Sequence, residues 1–191
     1  MSELVLTEKS GKILGVHFAY VKIQRPGLKY KSEEKEYSVD VVVDKATAKE
    51  IKKKFPKNGV KAVETDEFEN TFKFAPPYPE QEEQYVLKFK TNFLTKDGTE
   101  KPYEWSSRPK VYEPVEKGIK DVTMQKRVAN GSSGDIAFNI SVTEFGTIHH
   151  LLGILVKDMI ELTSSASNPF GEVVEEETAK HEEEDVDDVG F

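Results

Sequence analysis

The sequence predicts a mainly β protein: a small antiparallel barrel of five or six strands, closed or half-closed, with one helix between strands two and three. A disordered acidic tail is predicted to follow it. Three observations predict this class: most apolar segments alternate with period two or are rich in β-branched residues, one body segment is clearly helix-forming, and carboxylates dominate the last 20 residues. A sandwich is compatible with the same strands and stays open as an alternative.

The first two strands are predicted on either side of a polar, basic loop. Residues 13–24 (ILGVHFAYVKIQ) are largely apolar, β-branched or aromatic, and Arg25-Pro26-Gly27 provides a turn signal at their end. Residues 36–43 (EYSVDVVV) alternate well enough to form the second strand. The two segments therefore form the predicted start of an antiparallel sheet.

A helix is predicted over residues 45–55 (KATAKEIKKKF), which are rich in helix formers. Asp44 is the expected N-cap, and the three lysines 52–54 lie near the C-terminal end, where the helix dipole favours cations. The pattern weakens over residues 60–84, and the proline-rich residues 75–79 predict an extended connection on the solvent side.

The clearest strand pattern is at residues 85–94 (YVLKFKTNFL). Tyr85, Leu87 and Phe89 fall on one face, whereas Lys88, Lys90 and Asn92 fall on the other. The two lysines repel each other on what we expect to be an exposed face.

Three further strands complete the prediction. After the turn signal Asp97-Gly98, residues 103–112 (YEWSSRPKVY) are expected to return as a strand that carries the single tryptophan. Residues 135–145 alternate after the flexible loop 130–134. Periodicity does not distinguish strand from helix at 151–162, but Gly153 interrupts the segment and the sheet needs closing, which favours a strand.

Five or six strands with one helix are typical of the OB-fold, although its helix more often follows the third strand. We predict one such domain over residues 1–171 and a disordered acidic tail over residues 172–191. Zero cysteines exclude disulfides, thiolate zinc sites and cysteine catalysis. The first residues, Met-Ser-Glu-Leu-Val, show no basic flank and no apolar h-region, and no stretch approaches the roughly 18 apolar residues that cross a membrane. We therefore expect a soluble, intracellular protein.

The negative charge is concentrated in the tail. The chain has 35 acidic and 27 basic side chains, and because the last 20 residues hold ten and one of these, 25 and 26 remain in the body. A near-neutral body is able to bind a polyanion if its cations gather on one face. The tail would then compete for that face, and its terminal Phe191 favours docking on another protein over a role in solubility alone.

The layout resembles the single-stranded DNA-binding proteins of tailed phages, the small replication proteins of the short-tailed T-odd type. The resemblance covers most of the chain and depends on the order of its motifs. These motifs are residues 37–41 before the lysine-rich helix, Phe89 between Lys88 and Lys90, the Gly-Ser loop before 136–142, the segment 151–162, and the ending Asp187-Asp188-Val189-Gly190-Phe191.

Single-stranded nucleic acid is held by cations along its phosphates and by aromatic faces on which bases stack. Residues of both types alternate in this sequence. The candidate DNA-binding residues are Tyr20, Arg25, Tyr30, Lys88, Lys90, Tyr103, Trp105, Arg108, Lys110, Tyr112 and Arg127. We expect about one of the three aromatics between 103 and 112 to be buried, and Tyr103 and Trp105 to share a face of their strand.

The resemblance implies sequence-nonspecific binding in phage DNA replication, recombination and repair, in the cytoplasm of an infected bacterial host. It implies that the tail competes with DNA and, through Asp187, Asp188 and Phe191, recruits a phage or host polymerase or helicase. Neither a cofactor nor a membrane is expected, and the protein is expected to be a monomer or a homodimer.

Other functions have weaker support in the sequence. Glu-x-Lys strings at 33–35 and 50–52 do not predict a nuclease, because such strings arise by chance in so charged a chain and these lie on a predicted loop and a surface helix. His149-His150 has no third ligand at suitable spacing and is predicted to be an exposed turn pair. The loop 130–134 lacks the lysine and the helix of a phosphate loop. We therefore expect no enzyme, and the alternative is a protein-binding adaptor or acidic-tailed chaperone that does not bind nucleic acid.

Overall fold

The computed structural model describes residues 1–56, 59–144 and 146–162. This part of the chain contains nine strands and two helices. In chain order they are β1 (Glu3–Leu6), β2 (Ser10–Leu28), β3 (Lys35–Val43), α1 (Lys45–Lys54), β4 (Lys61–Glu64), α2 (Thr65–Phe72), β5 (Glu83–Asn92), β6 (Lys110–Val115), β7 (Gly118–Asp121), β8 (Ser133–Thr143) and β9 (Gly146–Asp158). Neither helix is long and apolar enough to cross a membrane.

Five of the strands close into a barrel in the order β5-β3-β2-β8-β9. Four of the five contacts between neighbouring strands are antiparallel. The fifth closes the barrel and is parallel, with Lys90 of β5 opposite His150 of β9. The predicted OB-fold-like barrel is confirmed, with this parallel contact as an addition, and the closure excludes the sandwich.

Alternation along the strands places the core inside the barrel. Tyr37, Val39, Val41 and Val43 of β3 all face inward, with every second residue facing out. The long strand β2 pairs with β1, β3 and β8, because its register shifts between residues 13 and 16 and between 19 and 22. Such irregularities bend a strand and increase its twist, which allows one strand to take part in both halves of a barrel.

Helix α1 forms as predicted, one residue shorter, and contributes to the barrel core. The backbone N–H of Thr47 donates to Asp44 Oδ1 (2.8 Å), which satisfies a free donor of the first turn. Ala48, Ile51 and the following Phe55 belong to the same hydrophobic cluster as the strand residues. The helix predicted between the second and third barrel strands is therefore packed against the core.

Helix α2 was not predicted. It is eight residues long, lacks a side-chain cap, and carries only two buried apolar residues, Phe68 and Phe72. These pack in a second cluster against the outward-facing Ala19, Val42 and Val86 of three barrel strands. So short a helix is stabilised mainly by such tertiary contacts, which a sequence pattern does not reveal.

The predicted strand over residues 103–112 is wrong for most of its length. Only its end is a strand, β6, which runs from Lys110 to Val115 and pairs with β9 and β7. The preceding residues form successive turns, with Trp105 N–H donating to the Pro102 carbonyl and Arg108 N–H to the Trp105 carbonyl. Proline lacks a backbone N–H and interrupts strand pairing, and this segment has one at 102 and another at 109. Tyr103 and Trp105 therefore do not share a strand face.

The structure confirms the last two predicted strands, but it contradicts the exposed turn predicted for His149-His150. Residues 151–162 fall mostly in β9, as the interruption at Gly153 favoured. His149, predicted in an exposed turn, lies instead in β9 and is 8% exposed. Its ring centroid is 4.3 Å from that of Phe55 and 5.3 Å from that of Phe138. Burial, together with the neighbouring His150, lowers the pKa of His149.

Because the pKa of His149 is lower in the folded chain than the ordinary 6.5, the unfolded state binds its proton first as the pH falls. The free energy of unfolding should therefore decrease below about pH 6.5, by at most about 1.4 kcal/mol per pH unit for this group. Between pH 7 and pH 5, we expect the free energy of unfolding to decrease less for His149→Leu than for the wild type, as measured by urea denaturation. His150→Gln removes the smaller of the two causes that lower the pKa of His149, so its curve should lie between those of the wild type and His149→Leu. Parallel curves for His149→Leu and the wild type would contradict the prediction.

Candidate nucleic-acid interface

A continuous depression, here called the outer groove, runs over the outward face of β8 and β9. It consists of two pockets of about 620 and 570 Å³ that share Asn139 and Leu152. The first pocket lies beside β6, and the second lies beneath the loop of residues 93–109. The outer groove is therefore bordered by the segment that carries most of the sequence-predicted site residues.

The floor of the outer groove follows from strand alternation. Ile136, Phe138 and Ile154 enter the core, so Ala137, Asn139 and other alternate residues of β8 and β9 face out. Ala137 pairs with Gly153, which pairs in turn with Lys110 of β6. A Cβ added to Gly153 would lie 2.7 Å from the Lys110 carbonyl oxygen, so β6 approaches β9 only because no side chain is present there.

Four predicted residues line the outer groove, and Tyr103 contacts two of them. Trp105, 49% exposed, lines the second pocket, while Arg108, Lys110 and Tyr112 line the first. The Nζ of Lys110 lies 5.0 Å from the centroid of the Tyr103 ring. Tyr103 and Tyr112 are half-buried, so none of the three aromatics is fully buried, where about one was expected.

Arg108 ties the 93–109 loop to the barrel. Its Nη1 donates to the Lys101 carbonyl (2.8 Å) and lies 3.1 Å from Glu100 Oε1. The guanidinium also lies 5.9 Å from the ring centroid of the buried Tyr37 and 5.4 Å from that of Tyr103. Arg108 thus fixes the loop that carries Trp105.

Lys88 and Lys90 lie on the outer face of β5, as alternation predicted. Their side chains are 51% and 64% exposed, and their Nζ atoms lie 3.5 and 3.9 Å from the carboxylate of Glu36. The predicted repulsion between the two lysines is therefore offset by a buried acid. Lys90 is also the register partner of His150, which lines the second pocket, so this row of lysines adjoins the outer groove.

Besides Lys88, Lys90 and Tyr103, four further predicted residues line neither pocket. Tyr20 packs on Phe72 (ring centroids 5.7 Å apart), and its hydroxyl donates to the Thr71 carbonyl, which holds α2 against the barrel. Arg25 lies near the end of β2, and Tyr30, 87% exposed, lies in the following loop. Arg127 lies before β8, where its carbonyl accepts the N–H of Leu162 (2.9 Å). The predicted tail, 172–191, with Asp187, Asp188 and Phe191, lies outside the described residues, as does the predicted domain end at 171.

Sequence reasoning missed several polar residues of the outer groove. Lys12 lines the first pocket, Lys96, Lys101 and His150 line the second, and Asn139 lies where the two meet. No local pattern marks them, although Lys96 and Lys101 flank the turn Asp97-Gly98. No group of three or more histidine, aspartate or glutamate side chains in the described ranges is arranged to hold a metal ion.

The solved structures that this chain is similar to include single-stranded DNA-binding proteins of bacteriophages, the class that the sequence resemblance named. One is the protein of bacteriophage Enc34 in complex with single-stranded DNA, at 18% identity and a TM-score of 0.42, over 81% of this chain and 89% of that one. Another is gp2.5 of bacteriophage T7, at 14% identity and a TM-score of 0.45, over 94% and 100%. No protein-family model and no curated protein matches the sequence.

The contacts of Arg108 predict a structural role for its side chain. Arg108→Met removes a charged hydrogen bond, an ion pair and two ring contacts, and should lower the free energy of unfolding by about 2 kcal/mol. Urea denaturation measures this change. Lys110→Met is the matched control, because among the described residues this lysine has a ring contact with Tyr103 and no ion pair within 4.0 Å, so its loss should cost less than about 1 kcal/mol. Equal losses in the two variants would show that Arg108 does not fix the loop.

Proposed function

We propose that this protein binds single-stranded DNA, without sequence preference, in the outer groove. The observation that carries the proposal is a half-exposed tryptophan, Trp105, in a groove that is lined along its length by cations. Unpaired bases stack on aromatic faces for about 1–3 kcal/mol each, and cations follow the phosphates. Stacking discriminates little between bases, so the binding is expected to tolerate any sequence.

The charges of the outer groove favour an anionic ligand. Among the described residues, Lys12 and Lys110 have no carboxylate within the 4.0 Å of an ion pair. Asp135, which also lines the first pocket, is paired with Lys157 at 2.8 Å. The free cations are therefore available to phosphates, while the nearby acid is partly neutralised.

The floor of the outer groove favours a single strand over a duplex. Ala137, Leu152 and Leu155 give the first pocket an apolar floor. Unpaired bases have apolar faces to bury there, whereas the bases of a duplex are already stacked on one another. Buried aromatics and scattered lysines would favour the alternative, a protein-binding adaptor or chaperone. The exposed Trp105 beside clustered cations favours DNA instead.

The proposal extends to the tail and to the biological role. The ten carboxylates of residues 172–191 complement the cations of the outer groove, so the tail competes with DNA for it. DNA displaces the tail and frees Phe191, with Asp187 and Asp188, for a polymerase or helicase. The protein then acts without catalysis in phage replication, recombination and repair, in the cytoplasm of an infected bacterium.

Trp105→Ala tests the outer groove directly. It should weaken the binding of a labelled oligothymidylate about 5- to 150-fold, the equivalent of one stack of about 1–3 kcal/mol. Fluorescence anisotropy measures the affinity, and the intrinsic fluorescence of Trp105, the single tryptophan, should change as DNA binds the wild type. Met124→Ala, an exposed side chain (74%) that lines neither pocket, is the control.

Unchanged affinity in Trp105→Ala would remove the outer groove as the binding site, and no binding by the wild type would remove the proposed function. Tyr30→Ala in the same assay decides whether the loop after β2 also contacts DNA.

Truncation after Gly171 tests the competition by the tail. The shortened chain should bind the oligonucleotide more tightly than the full chain at low salt, because ten carboxylates no longer occupy the cationic site. The difference should shrink as salt screens both interactions. Anisotropy titrations of the two chains at two salt concentrations measure this, and equal or weaker binding by the truncated chain would contradict competition.

A further inference from the structure

Lys101 is a buried lysine beneath the 93–109 loop. It is 9% exposed, and its Nζ donates to Thr91 Oγ1 (3.2 Å) and to the Ser107 carbonyl (3.3 Å). Lysine is almost never buried unless it is paired, because its ammonium is strongly hydrated. The position of Lys101 therefore needs a physical reason.

Lys101 has no carboxylate partner within ion-pair distance in the part of the chain that the structure describes. The adjacent acid, Glu100, is paired with Arg108. An ammonium has three donors, and two neutral acceptors do not balance its charge. Burial accordingly lowers the pKa of Lys101, which means that holding the charge there costs stability.

Lys101 lines the second pocket with Lys96, His150 and Trp105. The hydroxyl-bearing residues Thr91 and Thr95 and the exposed Asp97 also line it. An anion in this pocket would meet two lysines and a histidine beside a single acid. It would also lie next to the face on which the proposed function stacks a base.

We propose that Lys101 binds a backbone phosphate of the single strand, next to the nucleotide whose base stacks on Trp105. The inference rests on the proposed function and deepens it. The bond from Arg108 to the Lys101 carbonyl (2.8 Å) and the bond from Lys101 N–H to the Phe93 carbonyl (3.2 Å) fix the backbone of Lys101. A cation held in this way loses little conformational freedom when the phosphate arrives. The phosphate supplies the counter-charge that the free protein lacks.

The test uses two neutral variants of the full chain. Lys101→Met removes the charge, and Lys101→Gln removes it while keeping an amide donor for Thr91 and Ser107. Oligothymidylate affinity is measured by anisotropy over a series of salt concentrations, and thermal unfolding is followed in parallel. Lys49→Met, on the exposed face of α1 and in neither pocket, is the matched control.

We expect both Lys101 variants to bind about tenfold more weakly at low salt, and the slope of log affinity against log salt to become shallower by about 0.7, one phosphate contact on a single strand. The melting temperature of at least one variant should equal or exceed that of the wild type, because a costly buried charge is gone. A purely structural lysine would instead lower the melting temperature of both variants and leave the slope unchanged.

The outcomes separate the two proposals. Binding by the wild type with unchanged affinity and slope in both Lys101 variants would overturn the role of Lys101 alone. No binding by the wild type would overturn the proposed function, and this inference with it.

Discussion

The contact between β5 and β9 is the constraint on which the rest of the structure depends. A single parallel pairing, Lys90 with His150, joins the two ends of a five-stranded sheet into a barrel. Closure buries the inward face of every barrel strand in one core and leaves the outward faces of β8 and β9 to form the floor of the outer groove. It also brings the lysines of β5 next to that groove, although about 60 residues separate the paired positions along the chain.

Around this barrel, the parts of the outer groove differ in what they contribute to stability. Gly153 permits β6 to lie against β9, and Arg108 fixes the 93–109 loop over Tyr37, so both support the fold. Lys101 and Trp105 oppose it, because the first is a buried charge with no carboxylate partner among the described residues and the second is a large apolar side chain left half-exposed. Destabilising residues such as Lys101 and Trp105 are expected at sites where a ligand supplies the partners that the protein lacks.

The charged residues of the body also fall into two groups: those that are balanced within the protein and those that are not. On the outer face of β3 and β5, lysines surround the acids Glu36 and Asp40, and burial raises the pKa of Asp40 while Lys88, Lys61 and Lys22 oppose that rise. That face is largely neutralised within the protein. In the outer groove, Lys12, Lys101 and Lys110 lack such partners among the described residues, so a near-neutral body still presents an unbalanced cationic surface.

The sequence by itself determined the barrel strands, helix α1 with its Asp44 cap, and the outward direction of Lys88 and Lys90, because alternation and capping act between residues close in the chain. It also identified Trp105, Arg108, Lys110 and Tyr112 as one cluster, since a single short segment carries them. Only the tertiary structure decided the rest. Helix α2, the burial of His149 and the meeting of Lys12, Asn139 and Lys101 in one groove depend on packing between distant segments, and no local periodicity records those contacts.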